Sequence, residues 1–303
     1  MSADAVIRVR GLRKRYGSFE AVRGVDLDVR AGEVLACLGP NGAGKTTTVE
    51  ILEGYRSRDE GDVSVLGEDP ARGSRAWRAR IGVVLQEAAL EEHLTVREAL
   101  TLFAAYYPQP RGIDEIIALA GLEEKADARL GRLSGGQRRR ADVALALVGG
   151  PELIFLDEPT TGFDPTARRQ AWETVAGLRE LGTTVLLTTH YLEEAEALAD
   201  RIVVLAGGRV VAEGTPATLG GRAGAASRIA FTLPAGVEPP RDARREGATT
   251  VLHAHRPVAA VAELAAWAQA RSLELGDLEV RRPSLEEIYL ELVGAAAQED
   301  RPA

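Results

Sequence analysis

Apolar residues recur along the first part of the chain in short runs of two kinds. The early runs alternate apolar with polar residues, which is typical of antiparallel strands with one face in solvent; they are VIRVR (6–10), VDLDV (25–29) and VSVL (63–66). The later runs are nearly all apolar, which is typical of parallel strands buried on both faces; they are VLACL (34–38), IGVVL (81–85), LIFLD (153–157), TVLLTT (184–189) and RIVVL (201–205). We therefore expect an α/β fold with a mixed sheet core and an antiparallel β layer.

The pattern changes between about residues 88 and 148, where apolar residues follow helical spacing. One set comprises Leu94, Val96, Leu100, Phe103 and Ala104, and a second comprises Ile113, Ile116, Ile117 and Leu119. Spacings of three and four residues place side chains on one face of a helix. The sequence thus predicts a helical subdomain inserted into the α/β core at about residues 88–148.

Residues 206–228 end in a Gly/Ala-rich stretch that offers few side chains for packing, as a linker does. We therefore expect one domain over residues 1–221 and a small α+β accessory domain over residues 222–303. Its expected elements are strands at 228–233 and 250–255, a helix within 258–271, and a last helix opened by a capping box of Ser284 and Glu287.

Composition and charge narrow the possible classes of protein. A chain of 303 residues with 45% hydrophobic and 27% charged residues is long enough for two folded domains. The net charge of −8 gives no basic field for nucleic acid, so we expect no nucleic-acid partner. Neither a secretory leader nor a run of about 18 apolar residues is evident, so we expect a cytoplasmic protein that contacts a membrane only through a partner. The lone Cys37 is expected to be a buried structural thiol.

A glycine-rich stretch, GPNGAGKT, follows the run 34–38 directly. Gly39, Gly44, Lys45 and Thr46 match the phosphate-binding loop that joins a strand to a helix. Its glycines let successive backbone N–H groups point at a triphosphate, and the helix N-terminus adds positive potential. Lys45 is then expected to reach the β- and γ-phosphates, and Thr46 a Mg²⁺ ion. The alternative is an ordinary glycine-rich turn between strand and helix.

The stretch LIFLDEP places Asp157 and Glu158 at the end of an apolar strand. After a phosphate-binding loop, the first acid is expected to hold the Mg²⁺ hydration shell and the second to orient an attacking water. In isolation, two adjacent acids could equally begin a solvated turn.

The stretch LSGGQ, residues 133–137, allows two interpretations. Ser134 and Gln137 form a capping box at the start of a helix, which is a purely structural role. Two glycines in the first turn nevertheless cost about 1 kcal/mol each relative to alanine, which favours a close approach of a phosphate to the backbone. Arg138–Arg140 follow, and we interpret them as a solvated helix start rather than a nucleic-acid contact.

Together, GPNGAGKT, LSGGQ and LIFLDEP resemble the ATP-binding cassette (ABC) ATPases over about residues 5–217. Three stretches make the chain similar to the single-cassette ATPases of drug exporters: LEGYRSRDEGDVSVLG, RRRADVALALVGGPELIFLDEPTTGFDP and RPSLEEIYLELVG. The resemblance implies a P-loop cassette fold, ATPase activity, and ATP and Mg²⁺ as cofactors.

The resemblance also implies a role for individual residues. Tyr16 is expected to stack on adenine, Glu158 to act as general base, and His190 to contact the γ-phosphate. Gln86 is expected to join Mg²⁺ and water to the transporter interface, and Asp164 to contribute to a dimer contact in which Phe163 replaces the usual leucine. The remaining nucleotide contacts are expected from Gly39, Asn41, Gly42, Gly44, Lys45, Thr46, Thr47, Ser134, Gly135, Gly136 and Gln137, and the metal contacts from Thr46, Gln86 and Asp157.

In the family, the phosphate-binding loop of one subunit faces the LSGGQ segment of another across the nucleotide. The resemblance therefore implies a second nucleotide-binding subunit, expected to be an identical chain, and a membrane permease on a separate chain at the cytoplasmic face of the membrane. The alternatives are a soluble ABC ATPase of DNA repair or translation and the ATPase of an importer. Drug, lipid, ion and polysaccharide all remain possible cargoes.

Overall fold

The computed structural model describes residues 5–84, 91–234, 236–240 and 242–299 of the chain. They divide into two units, one of residues up to Pro216 together with those from Val293 onward, and one of Ala217–Leu292. Among the described residues, no helix has both the length and the apolar character needed to cross a membrane.

The first unit alternates strands with helices, as the hydrophobic pattern predicts. Its strands are β1 (Ala5–Tyr16), β2 (Phe19–Arg30), β3 (Val34–Leu38), β4 (Glu60–Val65), β5 (Ile81–Val84), β6 (Leu153–Asp157), β7 (Thr184–Thr189), β8 (Arg201–Ala206) and β9 (Arg209–Gly214). Its helices are α1 (Lys45–Leu52), α2 (Arg75–Arg78), α3 (Val96–Ala104), α4 (Ile113–Leu119), α5 (Gly135–Leu147), α6 (Pro165–Glu180) and α7 (Leu192–Leu198). Helices α3, α4 and α5 form the predicted helical insertion.

The main sheet has six strands in the order β5-β6-β7-β3-β8-β9. The first five run parallel, and β9 pairs antiparallel with β8 at the edge. Every residue of β3, β6 and β7 is buried, because helices and the second sheet cover both faces of a parallel sheet. The prediction of a mixed sheet built on buried parallel strands is confirmed.

The antiparallel layer is a three-stranded sheet in the order β2-β1-β4. In β1, Ile7 and Val9 are fully buried whereas Arg8 and Arg10 are exposed, which is the one-sided alternation that the sequence predicts. The buried face shares a core with β3, α1 and α2, where Trp77 is fully buried and its Nε1 donates to the carbonyl of Val65 at 2.8 Å.

The first part of residues 206–228, the segment predicted to end as a linker, contains a strand. Residues 209–214 form β9, because Gly207 and Gly208 both have positive φ (54° and 77°) and close a two-residue hairpin that pairs Ala206 with Arg209. The Gly-Gly pair between two apolar runs is a hairpin signal that the sequence analysis missed.

The second unit is an antiparallel sheet with a helix packed on one face. Its elements are β10 (Ser227–Thr232), β11 (Ala243–Glu246), β12 (Thr249–Ala254), α8 (Pro257–Gln269), β13 (Gly276–Arg281) and the start of α9 (Leu285–Glu299), with strand order β11-β12-β10-β13. Ile229, Phe231 and Leu264 form its core. The Ser284 hydroxyl accepts from the Glu287 N–H at 3.1 Å, and a Glu287 carboxylate oxygen accepts from the Ser284 N–H at 2.8 Å, which confirms the predicted capping box.

The single cysteine gives a direct test of the main sheet. Cys37 lies in β3 between β7 and β8, and burial raises the pKa of its thiol to about 12. A rise of three pKa units leaves about 1,000-fold less thiolate near neutral pH. We expect iodoacetamide at pH 8 to leave the folded protein unmodified and to alkylate it fully in urea, as measured by intact mass. Rapid alkylation of protein whose circular dichroism remains native would contradict this placement.

Candidate functional site

The glycine-rich loop joins β3 to α1, as predicted, and its backbone lies against neighbouring chain. A Cβ on Gly39 would lie 2.3 Å from the carbonyl oxygen of Leu205, and one on Gly44 would lie 2.4 Å from that of Ala21. Gly44 also has φ +95°, a region that L side chains rarely adopt. Both glycines are therefore required by the packing of the loop itself.

Lys45 is the first residue of α1, and it is only 5% exposed. Its Nζ donates to the carbonyl oxygens of Gly39 at 2.6 Å and Pro40 at 3.1 Å, so the ammonium group lies along the inside of the loop. The free N–H groups at the start of a helix add positive potential at the same place. This arrangement provides an anion-binding loop.

A cleft of about 390 Å³ opens beside this loop. Its lining residues are Tyr16, Phe19, Ala21, Asn41, Gly42, Ala43, Gly44, Lys45, Thr46, Thr47 and Glu158. Tyr16 is 41% exposed, so its ring is available at the cleft for stacking. The guanidinium of Arg56 lies 5.3 Å from the centroid of that ring. The fold thus brings the predicted residues Tyr16 and Glu158 to the phosphate-binding loop.

Asp157 ends β6 as a buried acid. Its side chain accepts a short hydrogen bond from the hydroxyl of Thr188 on the neighbouring strand β7. The next residue, Glu158, has φ +44°, and its N–H donates to the carbonyl and the hydroxyl oxygen of Thr188 at 3.2 and 3.0 Å. A non-glycine residue in the left-handed region costs about 1 kcal/mol or more, so the contacts with β7 hold Glu158 in a strained conformation.

His190 follows β7 and lies beside this strained acid. Its Nδ1 is 3.3 Å from a carboxylate oxygen of Glu158, and the hydroxyl of Thr161 donates to the other oxygen at 3.1 Å. The His190 ring lies 4.1 Å from the ring of Tyr191, which in turn lies under the guanidinium of Arg168. The predicted acid and histidine are therefore brought into contact.

The LSGGQ segment begins α5 and opens on a second cleft of about 760 Å³. Ser134 Oγ accepts from the Gln137 N–H at 3.3 Å, and the Gln137 side chain accepts from the Ser134 N–H at 3.1 Å, which confirms the capping box. A Cβ on Gly135 would meet nothing within 4 Å, so its backbone faces open space. Of the predicted residues, Glu158 lines both clefts, whereas Ser134, Gly135, Gly136 and Gln137 line only the second.

Asp164 lines the second cleft and caps α6, where its side chain accepts from the N–H groups of Thr166 at 2.9 Å and Ala167 at 2.8 Å. It therefore fixes the loop that precedes α6. Gln86, predicted to contact both Mg²⁺ and the transporter interface, lies outside the described residues.

The prediction of a solvated start for Arg138–Arg140 is wrong at Arg139. Its side chain is buried, and Nη2 donates to the Asp157 carbonyl at 2.8 Å while Nε donates to the Pro159 carbonyl at 3.2 Å. A signal was present in the sequence, because Arg139, Val143 and Ala146 share one face of α5 at helical spacing. Because that apolar face is buried, Arg139 is buried with it.

Comparison with known proteins agrees with this geometry. Residues 22–161 match the family model of the ABC transporter, and residues 227–284 match that of the C-terminal domain of ABC transporter domain-containing proteins. The daunorubicin resistance ATP-binding protein DrrA2 of Streptomyces coeruleorubidus is 40% identical over 306 residues, which cover 95% of either chain. The Nod factor export ATP-binding protein I of Burkholderia orbicola is 45% identical over 220 residues, covering 71% of this chain and 72% of the relative.

Solved structures show the same fold. A dimeric ATP-binding cassette in a post-hydrolysis state with ADP and Pi has a TM-score of 0.61 at 26% identity, covering 69% of this chain and 98% of that one. The two relatives named above are ATP-binding proteins of drug resistance and of export, so a soluble ABC ATPase that is not coupled to transport is not favoured. The chain belongs to the ABC transporter family, as an ATP-binding ATPase subunit of the drug-resistance and export type.

Proposed function

We propose that two copies of this chain clamp ATP between them and that its hydrolysis drives export through a separate membrane permease. One observation carries this proposal. The phosphate-binding loop and the LSGGQ helix line different clefts of one chain, so a single chain does not bring both to one nucleotide. A second copy supplies the missing helix N-terminus. The dimeric cassette with ADP and Pi among the structural neighbours supports this arrangement.

In this proposal, each residue of the cleft acts on a different part of the nucleotide. Tyr16 stacks on the base, and the backbone N–H groups of residues 41–47 surround the phosphates. Lys45 exchanges two carbonyl acceptors for phosphate oxygens, a stronger, charge-assisted interaction. Ser134 and Gly136 of the second copy donate to the γ-phosphate. Loss of that group on hydrolysis removes the contacts that join the two copies.

Glu158 is proposed as the general base. Its carboxylate lies between Thr161 and His190, and these two contacts orient it. It accepts a proton from the attacking water, and His190 contacts the γ-phosphate on its other side. Since Glu158 borders both clefts, it stands where the two copies meet the nucleotide.

Residues suited to Mg²⁺ are also present. Mg²⁺ prefers oxygen ligands and is commonly held by one or two protein groups together with phosphates. The exposed Thr46 hydroxyl and the Asp157 carboxylate, held toward β7 by Thr188, fit that ligand set. Mg²⁺ bound there would neutralise charge on the phosphates. Gln86 is proposed as a further contact.

We also propose a nucleotide-binding domain over residues 1–221 and an accessory domain over residues 222–303, supported by the separate family match at 227–284.

The assembly acts at the cytoplasmic face of the membrane. Drug efflux is the proposed transport, supported by the daunorubicin resistance relative that aligns along almost the whole chain.

The clamp is tested by Glu158→Gln. Removing a general base typically lowers the rate about 10²- to 10⁴-fold, so we expect phosphate release to fall by that factor. ATP then persists in the cleft, and the variant is expected to form a stable dimer with ATP and Mg²⁺, measured by light scattering after gel filtration.

Lys45→Ala is the matched control, because it removes a charge-assisted contact to the phosphates. We expect its ATP affinity to fall about 10- to 100-fold and the protein to stay monomeric with ATP. A Glu158→Gln protein that stays monomeric in saturating ATP would refute the clamp.

A patch of exposed aromatic and apolar side chains supports docking to a permease. Its members, which we call the aromatic patch, are Tyr55, Leu102, Phe103 and Tyr106, exposed by 69%, 49%, 39% and 65%. Phe103 and Tyr106 are in edge contact at 6.2 Å between ring centroids. Burial raises the pKa of Tyr107, the residue after Tyr106, and Tyr55, beyond the end of α1, adds to that rise. We propose that a cytoplasmic segment of the permease covers this patch.

Replacing Leu102 and Tyr106 together by serine should weaken copurification with the co-expressed permease at least about tenfold, because interface aromatics carry much of the binding energy. ATPase activity of the isolated subunit should be unchanged. Leu181→Ser, at an exposed leucine after α6, is the control and should retain binding. Equal copurification of both variants would contradict the docking surface.

A further inference from the structure

The guanidinium of Arg139 holds the backbone on both sides of Glu158. It donates to the carbonyl of Asp157 at 2.8 Å and to that of Pro159 at 3.2 Å, the residues immediately before and after the acid. The Glu158 backbone between them has φ +44°. Two bonds from one planar group fix the orientation of a strained residue more firmly than either bond alone.

This arginine is buried among acids. Burial lowers the pKa of Arg139, while the nearby carboxylates of Asp142, Asp157 and Glu194 raise it. Asp142 lies one helical turn further along α5, 4.0 Å from the guanidinium. A buried charge is costly to desolvate. The bonds that it donates to Asp157 and Pro159 therefore point to a specific task at this site rather than to general stability.

The same helix carries the nucleotide contacts proposed for the second copy. Arg139 lies about one turn after Ser134, Gly135 and Gly136, whose backbone opens on the second cleft. A helix moves as a rigid unit over so short a distance. Any shift of its N-terminus that follows nucleotide contact is therefore transmitted by the guanidinium to residues 157–159.

We infer that Arg139 is a positioning residue that couples the two nucleotide sites of the dimer. It links α5, which contacts the nucleotide of one site, to Glu158, which acts on the nucleotide of the other site. This inference rests on the clamp proposed above. Occupation of each site then orients Glu158 in the opposite site, so the two ATP molecules are hydrolysed cooperatively. A Hill coefficient above 1, with 2 as its limit for two sites, is the expected signature.

The first test is Arg139→Lys, which keeps the positive charge beside Asp142 but cannot bond both carbonyls with a planar fork. We expect its Hill coefficient for ATP to fall to 1 and its kcat to fall at least about tenfold. The ATP concentration for half-maximal rate should change less than twofold. In the Glu158→Gln background, the ATP-bound dimer should persist.

Arg140→Lys is the matched control. Arg140 also donates to two carbonyls, those of Ala120 at 3.2 Å and Gly121 at 2.7 Å, but these follow α4 and do not flank Glu158 in the chain. The same substitution one residue along should therefore leave both the Hill coefficient and kcat close to their original values. Equal losses in the two variants would overturn the coupling role.

A second variant addresses folding. Arg139→Met with Asp142→Leu removes both buried charges, so neither is left unpaired, and we expect a folded protein with the same loss of cooperativity. A native Hill coefficient in either folded variant, a coefficient of 1 in the unaltered protein, or loss of folding in both variants would overturn the inference. Failure of Glu158→Gln to dimerise would instead refute the clamp itself, so the two failures are distinguishable.

Discussion

Parallel pairing of β6, β7 and β3 is the constraint on which the candidate site depends. Strands that run the same way end at the same edge, so the segments that follow them meet there. The glycine-rich loop follows β3, Glu158 follows β6 and His190 follows β7. The central strand β7 holds both acids, since the Thr188 hydroxyl donates to the Asp157 carboxylate and the hydroxyl and carbonyl oxygens of Thr188 accept from the Glu158 N–H. Residues more than a hundred positions apart in sequence are thereby held in one cleft.

Contacts within the chain hold the charged groups of the site. The Lys45 ammonium is held by two loop carbonyls, and Glu158 is held by Thr161 and His190. Because the folded structure already fixes the positions of these groups, less reorganisation is required when charge develops on the phosphates. The LSGGQ helix, by contrast, opens on a separate cleft with exposed backbone at Gly135. Within one chain, the glycine-rich loop and the LSGGQ helix therefore line different clefts.

Much of this could be predicted from the sequence, because β3, β6 and β7 are uninterrupted apolar runs and the capping boxes of Ser134 and Ser284 depend only on local spacing. Other elements depend on tertiary pairing. The strands β11 and β13 are rich in charged residues and are edge strands of their sheet, so hydrophobic periodicity does not reveal them. The burial of Arg139 could have been read from its place on the apolar face of α5, whereas its acceptors, two backbone carbonyls about 20 positions away, leave no pattern in the sequence. Backbone groups carry no residue identity, so only the fold shows them.

The left-handed backbone at Glu158 has a consequence for variation at this position. Asparagine and glycine adopt that conformation at lower cost than glutamate, so the backbone conformation alone favours either of them at this position. Neither supplies a carboxylate to accept a proton. The backbone conformation and the proposed general-base role therefore favour different residues at position 158, and a lineage freed from the need to hydrolyse ATP would be expected to lose the glutamate early.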